Sequence, residues 1–560
     1  MVYKILKFLN KEISGLHEAA YLLGFFAIFS QLLALVRDRL FANYFGAGHA
    51  LDLYYASFRI PDFIFVTVAS LVSISVLIPF LIEKVSQSKE EAKKFINSVF
   101  SAFFFLILLS CIIFFFLIPF LTARLFPGFS TATDQGQLVF MSRILLLSPI
   151  LLGISSFLGS ITQMANRFFI YALSPILYNV GIIFGVVFLS PLYGVTGLIW
   201  GVIIGAILHV GIQVPFVVRH GFLPKIIFKI DFSEIKKVVM ISLPRALTIS
   251  APELARFVLI AIASAMAVGS ISVFSFASNL QSVPLSIIAV SYSLAAFPIL
   301  TRHFVSGDRN KFVDQMISGC RHVIFLSMPV MILFMVLRAQ IVRTILGSGQ
   351  FSWSDTRLTA ACLAIFAVSL IPQSLMLLFV RAYYSSGNTK TPLAVNVFSS
   401  VFMVVSGFLL TYIFNTIPVF QFFIESLFKV VDISGSVVLM MPLAYSVGSW
   451  IGFIIYWILF QKEFRTFSQP VLSTAFQSFS ASVIMGFMAY KYLDIFDEIF
   501  DINTFWGIFL QGFFSGVIGL FCGIVLLKLL KNKELEEMWR ALHKKFWKAK
   551  VIGPDPEVGQ

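Results

Sequence analysis

Long apolar segments recur along the whole chain, and short polar loops separate them. Each segment has about twenty residues or more, the length that a helix needs to cross roughly 30 Å of hydrocarbon. Hydropathy indicates about fourteen such segments, the first at 19–45 and the last at 505–530. The pattern therefore predicts an all-α polytopic membrane protein with about fourteen transmembrane helices.

Loop charges predict how the chain is threaded through the membrane. Lys and Arg concentrate in every second loop, at 83–94, 219–237, 302–311, 381–390 and 462–465. The alternate loops, such as 46–50 and 494–503, are neutral or acidic. Because basic loops tend to stay on the cytoplasmic side, we expect a multi-pass protein of the inner (plasma) membrane with both termini in the cytoplasm.

The two halves of the chain resemble each other. The sequence PILYNV at 175–180 returns as PLAVNV at 392–397, and PLYGVTG at 191–197 returns as PLAYSVG at 442–448. Each copy holds six apolar segments, so we predict two six-helix bundles in parallel repeat, a transporter plan with the site between the halves. The predicted domains are 1–232, the first bundle; 233–469, the second bundle, with an insertion near 412–441; 470–530, two additional transmembrane helices; and 531–560, a basic cytoplasmic tail.

Composition narrows the function classes. The chain is 59% hydrophobic and 12% charged, and its net charge of +14 lies mainly in the loops, so we expect no nucleic-acid partner. The four cysteines lie in apolar segments without ligand spacing, which argues against a metal site. The glycine-rich stretch at 346–349 lacks the Gly-Lys-Ser/Thr of a nucleotide-binding loop. We therefore expect a transporter and not an enzyme, with no catalytic residues, metal or cofactor.

Charged side chains inside the apolar segments are the candidate functional residues. A charge in hydrocarbon costs free energy, so such residues by default line a cavity or pathway. Arginine suits bidentate contacts with phosphate, and arginines outnumber acids here, so the pattern indicates an anionic substrate. The candidate substrate-binding residues are Arg37, Asp38, Asp52, Arg59, Arg245, Glu253 and Arg256.

Some of these charges have a structural alternative. Asp52 and Arg59, like the neighbouring Arg39, lie where side chains reach the membrane interface or pair for structural reasons. Glu253 and Arg256 are three residues apart on a predicted helix, so they share a face and are expected to pair.

Several short motifs carry a resemblance to a known family. They are Val-Arg-Asp at 36–38, Phe-Gly-Ala-Gly at 45–48, Asp52, Ser-Phe-Arg-Ile-Pro at 57–61, Leu-Pro-Arg at 243–245, Arg-Ala-Tyr-Tyr at 381–384 and Asn-Thr-Lys-Thr-Pro at 388–392. In their order and spacing the chain resembles the MurJ/MviN family, the lipid II flippases of the multidrug/oligosaccharidyl-lipid/polysaccharide exporter superfamily.

The resemblance implies a function and a site. The protein would move undecaprenyl-pyrophosphate-linked disaccharide-pentapeptide (lipid II) from the cytoplasmic to the outer leaflet, by alternating access, for cell wall synthesis. A central cationic cavity would hold the head group, with Arg37, Asp38 and Asp52 at matching positions. A groove formed with helices thirteen and fourteen would take the lipid tail.

Other family charges are missing, which makes the chain a divergent member. Family arginines fall at Gln31, Phe65 and Asn279 in this chain, and Arg256 is a candidate replacement for a lost positive charge. The losses leave open a flippase of another polyprenyl-linked saccharide or a transport-inactive membrane scaffold for wall synthesis. A cation-coupled drug exporter would need more acids in the cavity. The expected partners are lipid II and membrane lipids, and the sequence specifies no coupling ion.

Overall fold

The computed structural model describes residues 16–71, 74–165 and 167–546, and these residues form helices and turns with no strand among them. The predicted all-α class is confirmed. The predicted tail at 531–560 is described only as far as residue 546, and residues 1–15 also lie outside the described part. The helices are α1 (Leu16–Phe45), α2 (His49–Leu71), α3 (Ile74–Gln87), α4 (Lys89–Leu125), α5 (Ala132–Leu145), α6 (Leu147–Met164), α7 (Phe168–Phe184), α8 (Ser190–Tyr193), α9 (Val195–Gly211), α10 (Val214–Arg219), α11 (Phe232–Ser264), α12 (Ser270–Leu285), α13 (Ser291–Val305), α14 (Arg309–Val336), α15 (Arg338–Leu346), α16 (Trp353–Val368), α17 (Leu370–Ser385), α18 (Lys390–Thr416), α19 (Pro418–Phe428), α20 (Met440–Glu463), α21 (Ser468–Asp497), α22 (Phe505–Leu529) and α23 (Lys533–Phe546).

Among the described residues, eleven helical segments are long and apolar enough to cross a membrane. The number becomes twelve if α16 and α17, which meet at a bend of 42°, form one span. The predicted count of about fourteen is not confirmed, because α1 and α2, at the first two predicted spans, are helical but are not among these twelve.

A glycine turn joins α1 to α2 and positions the first candidate charges. α1 ends at Phe45 because Gly46 has a φ of +62°, in the left-handed region that favours glycine. α2 begins three residues later, and the backbone N–H of Asp52 donates to the Gly48 carbonyl at 3.0 Å. Arg37 therefore lies two turns before the end of α1, whereas Asp52 lies in the first turn of α2.

Packing divides the chain into two compact units. The first comprises Met1–Val283, Ile341–Pro372 and Gly387–Tyr456, and the second comprises Pro284–Gln340, Gln373–Ser386 and Trp457–Gln560. The two bundles at 1–232 and 233–469 and the additional helices at 470–530 remain predictions. The insertion predicted near 412–441 contains α19 and a short 3₁₀ turn at Ser436–Leu439.

Within the first unit, the repeated asparagines make corresponding contacts. α7 packs against α1, and α18 packs against α11. Asn179 Nδ2 of α7 donates to Ser30 Oγ of α1 at 3.4 Å, and Asn396 Nδ2 of α18 donates to the Thr248 carbonyl of α11 at 3.0 Å. The Thr248 carbonyl lacks its usual helical donor because Pro252, four residues later, has no N–H. The repeat therefore places an amide against the first helix of each half.

Within the second unit, a buried acid ties α23 to two long helices. α21 packs against both α22 and α14. The Glu534 carboxylate, in the first turn of α23, forms an ion pair with Arg321 of α14 and accepts a hydrogen bond from Thr474 Oγ1 of α21 at 3.0 Å. Glu534 is 1% exposed. A buried carboxylate needs such partners, so its contacts position α23.

Replacing Glu534 with alanine is expected to loosen α23. The change leaves the Arg321 guanidinium without its carboxylate, at a cost of about 1–3 kcal/mol. Hydrogen exchange of the α23 amides in the purified full-length protein measures the loosening. Glu536→Ala is the matched control, because Glu536 is exposed and pairs with Arg540 one turn away, a contact that contributes about 0.3–0.5 kcal/mol. Equal protection of the α23 amides in both variants would show that the Glu534 contacts do not position α23.

Candidate functional site

Arg37 and Asp38 share hydrogen bonds near the end of α1. The Arg37 guanidinium donates to Asp38 Oδ1 from Nε at 3.0 Å and from Nη2 at 2.8 Å, and its Nη1 donates to Asn179 Oδ1 of α7 at 3.2 Å. The Asp38 side chain is 2% exposed and that of Arg37 is 19% exposed. A guanidinium has five N–H donors, so Arg37 is oriented by two partners and keeps donors for an additional anion.

Asn279 of α12 completes this group, here called the Arg37 cluster (Arg37, Asp38, Asn179 and Asn279). Its Nδ2 donates to Asp38 Oδ2 at 2.9 Å, on the carboxylate oxygen that the guanidinium does not use. Helices α1, α7 and α12 therefore meet around one buried carboxylate. Asn279 supplies an amide that fits this carboxylate.

Asp52 binds the start of α12. Its Oδ2 accepts a hydrogen bond from the backbone N–H of Gly269 at 2.6 Å, and its Oδ1 accepts from the backbone N–H and the Oγ of Ser272 at 2.7 and 2.6 Å. The residue is buried. A carboxylate at a helix N-terminus satisfies backbone N–H groups that have no helical partner and complements the helix dipole. This geometry indicates that Asp52 holds α2 against α12.

Further contacts hold α1 and the hairpin loop (residues 46–48) at the same end of the first unit. Arg39 Nη1 donates to the Thr344 carbonyl in the last turn of α15 at 2.6 Å, where the helix dipole favours a cation. Gly269 has a φ of +91°, and a Cβ at this position would lie 2.2 Å from the Ala47 carbonyl oxygen. The hairpin loop therefore packs directly against the backbone that precedes α12.

A second group of charges, here called the charge quartet, comprises Arg59, Asp62, Glu253 and Arg256. Arg256 Nη1 of α11 lies 3.9 Å from Glu253 Oε2, and its guanidinium carbon lies 5.9 Å from the centre of the Tyr445 ring. Arg59 and Asp62 of α2 lie within electrostatic range of this pair. Two formal positive charges therefore face two formal negative charges, where α2 packs against α11.

Two tyrosines interact electrostatically with members of both the Arg37 cluster and the charge quartet. The Tyr54 side chain of α2 and the Tyr178 side chain of α7 each lie within electrostatic range of both Arg37 and Asp62. Their hydroxyl groups both donate and accept hydrogen bonds. The two groups of charges thus belong to one polar region of the first unit.

The structure separates the seven predicted site residues into four places. They are the Arg37 cluster, with Arg37 and Asp38; the charge quartet, with Arg59, Glu253 and Arg256; the start of α12, with Asp52; and α11 nearer its beginning, with Arg245. Arg245 precedes Arg256 by eleven residues on one helix, which is about 16 Å by helical rise.

Sequence reasoning missed the neutral residues that orient these charges. Asn179, Asn279, Ser272 and Tyr445 carry no formal charge, so a search for charges in apolar segments does not find them. Asn179 had one signal, its place in a repeated motif. Asn279 had another, because the family resemblance implies an arginine at its position. Ser272 and Tyr445 had none.

Comparisons with known proteins agree on one family. A family model described as "Lipid II flippase MurJ" matches residues 41–511. A relative from Thermotoga maritima, described as "Probable lipid II flippase MurJ", is 26% identical over 538 residues, which cover 93% of this chain and 98% of the relative. A relative from Buchnera aphidicola subsp. Acyrthosiphon pisum, with the same description, is 25% identical over 504 residues, which cover 88% and 94%.

Solved structures share the fold. The structure described as "Lipid II flippase MurJ, inward closed conformation" aligns with a TM-score of 0.71 at 24% identity, over 91% of this chain and 100% of that chain. An inward-facing multidrug resistance MATE family transporter of the MOP superfamily aligns with a TM-score of 0.61 at 14% identity, over 77% and 95%. Because the family model matches most of its length, the chain belongs to the lipid II flippase MurJ family, a family of transporters and not of enzymes.

Proposed function

We propose that this protein moves lipid II from the inner to the outer leaflet of the membrane by alternating access, for peptidoglycan synthesis. Family membership supports the substrate. The protein is a multi-pass inner membrane protein, from its eleven or more apolar spans and its family. We also propose that both termini lie in the cytoplasm, which the alternation of basic and neutral loops supports.

The Arg37 cluster is the observation that carries this proposal. Arg37 is partly exposed, its orientation is set by Asp38 and Asn179, and it retains unused N–H donors. A guanidinium presented in this way matches the oxygens of a phosphate in geometry and charge. We therefore assign Arg37 to the pyrophosphate of the substrate.

We assign the charge quartet to the head group as well. Each arginine of the quartet already has a carboxylate nearby. An incoming phosphate therefore replaces a carboxylate as the partner of an arginine. Arg256 approaches Glu253 only to 3.9 Å. A phosphate that comes closer to Arg256 than this has the stronger Coulomb attraction to it. Binding of this kind is reversible, as a transport cycle requires.

The contacts of the hairpin loop supply the closed end that alternating access needs. In the proposed topology, residues 46–48 lie on the outer side. Asp52 joins α2 to the start of α12, and Arg39 joins α1 to the end of α15. At this end α2 cannot leave α12 without breaking the Asp52 contacts, and α1 cannot leave α15 without breaking the Arg39 contact. We therefore assign these contacts to a gate that is closed here and opens to release the flipped lipid.

Rescue of cells depleted of their lipid II flippase tests the proposal. We expect expression of this chain to restore growth and cell shape, because the family assignment indicates lipid II as the cargo and Arg37 suits its pyrophosphate. The control is the empty vector, with membrane abundance measured for both strains. Failure to rescue at normal abundance would overturn lipid II as the cargo.

Arg256 tests whether the charge quartet serves transport. We expect Arg256→Ala to lower the transport rate about tenfold to a hundredfold, because a contact with a charged group contributes about 1.5–3 kcal/mol. Arg256→Lys, which keeps the positive charge, should retain most of the activity. Flipping of a head-group-labelled lipid in vesicles measures the rates. Unchanged flipping by Arg256→Ala would show that Arg256 does not replace a lost family charge.

A second candidate function is the flipping of another polyprenyl-linked saccharide. The observation that favours it is Asn279, which stands where the family has an arginine and whose amide is bonded to Asp38. One fewer positive charge suits a less anionic head group. The same vesicle assay separates the two functions, because this candidate predicts faster flipping of a lipid that lacks the pentapeptide carboxylates.

A further inference from the structure

An apolar groove opens on the first unit, away from the Arg37 cluster. It encloses about 500 Å³ among α2, α4 and α11, with Phe408 of α18 at its edge. Arg124 of α4 is the charged residue in a lining that is otherwise apolar. A volume of this size lies in the range of ligand-binding sites.

The groove is about as long as one leaflet of the bilayer is thick. Leu254 of α11 lines its inner end, and Ala265, the residue that follows α11, lines its outer end. Eleven residues of helix rise by about 16 Å, close to half of the roughly 30 Å hydrocarbon core. A chain lying in the groove would therefore run from the membrane surface to the middle of the bilayer.

The groove is continuous with the lipid-facing surface of α4 and α18. Phe408 and Leu254, at its edge, are 58% and 44% exposed, and Phe120 on the adjoining face of α4 is 55% exposed. Large exposed apolar side chains on membrane-spanning helices face hydrocarbon. The groove is therefore accessible to a lipid from the side.

The two ends of the groove differ in charge. At the outer end the Arg124 guanidinium lies 4.3 Å from the centre of the Phe120 ring, and Arg124 has no ion pair among the described residues. An arginine at this depth matches a lipid phosphate. At the inner end, Ile60 and Leu254 are the sequence neighbours of Arg59 and Glu253 in the charge quartet.

We propose that this groove binds one acyl chain of a phospholipid of the outer leaflet, with the phosphate on Arg124. The length favours an acyl chain, because a chain as long as undecaprenyl extends far beyond one leaflet. The bound chain fills the space beside the charge quartet and keeps water out, which strengthens the attraction between its charges. The choice of leaflet rests on the topology in the proposed function, whereas binding itself does not.

Native mass spectrometry of the purified full-length protein, titrated with phosphatidylglycerol, tests the proposal. We expect one tightly bound phosphatidylglycerol on the unaltered protein. Ala261→Phe places a ring in the middle of the groove and should remove that lipid. Arg124→Ala leaves the shape of the groove unchanged and should raise the Kd about fivefold, the usual effect of one arginine near a lipid surface.

Two variants are matched controls. Leu109→Phe adds a ring to the lipid-facing surface of α4 outside the groove, and Arg540→Ala removes an exposed arginine of α23. Both should bind phosphatidylglycerol as the unaltered protein does. Equal binding by all four variants would overturn the proposal.

A second titration, with undecaprenyl phosphate, separates the resident phospholipid from the transported lipid. The proposal expects phosphatidylglycerol to remain bound at equal concentrations of the two lipids. Displacement by undecaprenyl phosphate, absent in Ala261→Phe, would overturn the phospholipid assignment and make the groove a substrate path. Failure of the rescue experiment would instead contradict lipid II as the cargo and leave these binding results standing.

Discussion

Arg37→Ala is expected to abolish rescue of cells depleted of their lipid II flippase. The substitution removes the guanidinium that donates to Asp38 and Asn179 and, in our assignment, to the pyrophosphate. The contacts with the Asp38 carboxylate and with the pyrophosphate each contribute about 1.5–3 kcal/mol. Losing both lowers the transport rate about a hundredfold to ten-thousandfold. Growth after depletion, and flipping of head-group-labelled lipid II in vesicles, measure the loss.

Two variants separate a transport role of Arg37 from a structural one. Arg37→Lys keeps the positive charge but loses the planar fork, so we expect partial flipping at normal abundance. Arg540→Ala, on α23, should behave as the unaltered protein. If Arg37→Ala reached normal abundance and still rescued growth, Arg37 would not bind the pyrophosphate. If both Arg37 variants fell to low abundance, the Arg37 cluster would be structural.

Asp52→Ala is expected to open the hairpin-loop end of the first unit. It removes the carboxylate that accepts from Gly269 and Ser272, and the backbone N–H groups at the start of α12 lose their acceptor. Truncating one partner of a buried charged contact costs about 2–5 kcal/mol. In the proposed cycle that cost falls on the closed state, so the population shifts toward an outward-open state.

Thiol accessibility measures this shift. A cysteine placed at Ala47, which is buried in the hairpin loop, should react with a membrane-impermeant maleimide faster in the Asp52→Ala background. Asp52→Asn retains one acceptor oxygen and should give an intermediate rate. The cysteine variant with Asp52 intact is the reference. Equal labelling rates in all three backgrounds would show that Asp52 does not hold the gate.

Much of the fold follows from local physical chemistry that the sequence displays directly. Apolar segments long enough to span hydrocarbon predict helices, and the glycine at residue 46 predicts the turn after Phe45, where the structure has a φ of +62°. The repeated motif predicted a parallel repeat, and the amides of Asn179 and Asn396 each contact the first helix of their half. The predictions of the helices and of the turn succeed because each depends on residues within a few turns of one another, whereas the two asparagine contacts span 149 and 148 residues.

Part of the candidate site could also be identified from the sequence. A buried charge is costly wherever it lies in a membrane helix, so Arg37, Asp38 and the pair Glu253–Arg256 stood out without any structure. Their immediate pairing is also local, since Arg37 and Asp38 are adjacent and Glu253 and Arg256 are one turn apart. What each charge does among its distant partners could not be inferred.

The sequence by itself determined the membrane-spanning helical class, the positions of most helices and the set of costly charges, because hydropathy and charge are properties of each segment alone. Only the tertiary structure decided that Asp52 accepts a hydrogen bond from Gly269, that Asn279 donates one to Asp38, and that an apolar groove ends beside the charge quartet. The first two contacts join residues 217 and 241 positions apart. Hydrogen bonds depend on distance and direction in space, and no periodicity along the chain encodes either across such separations.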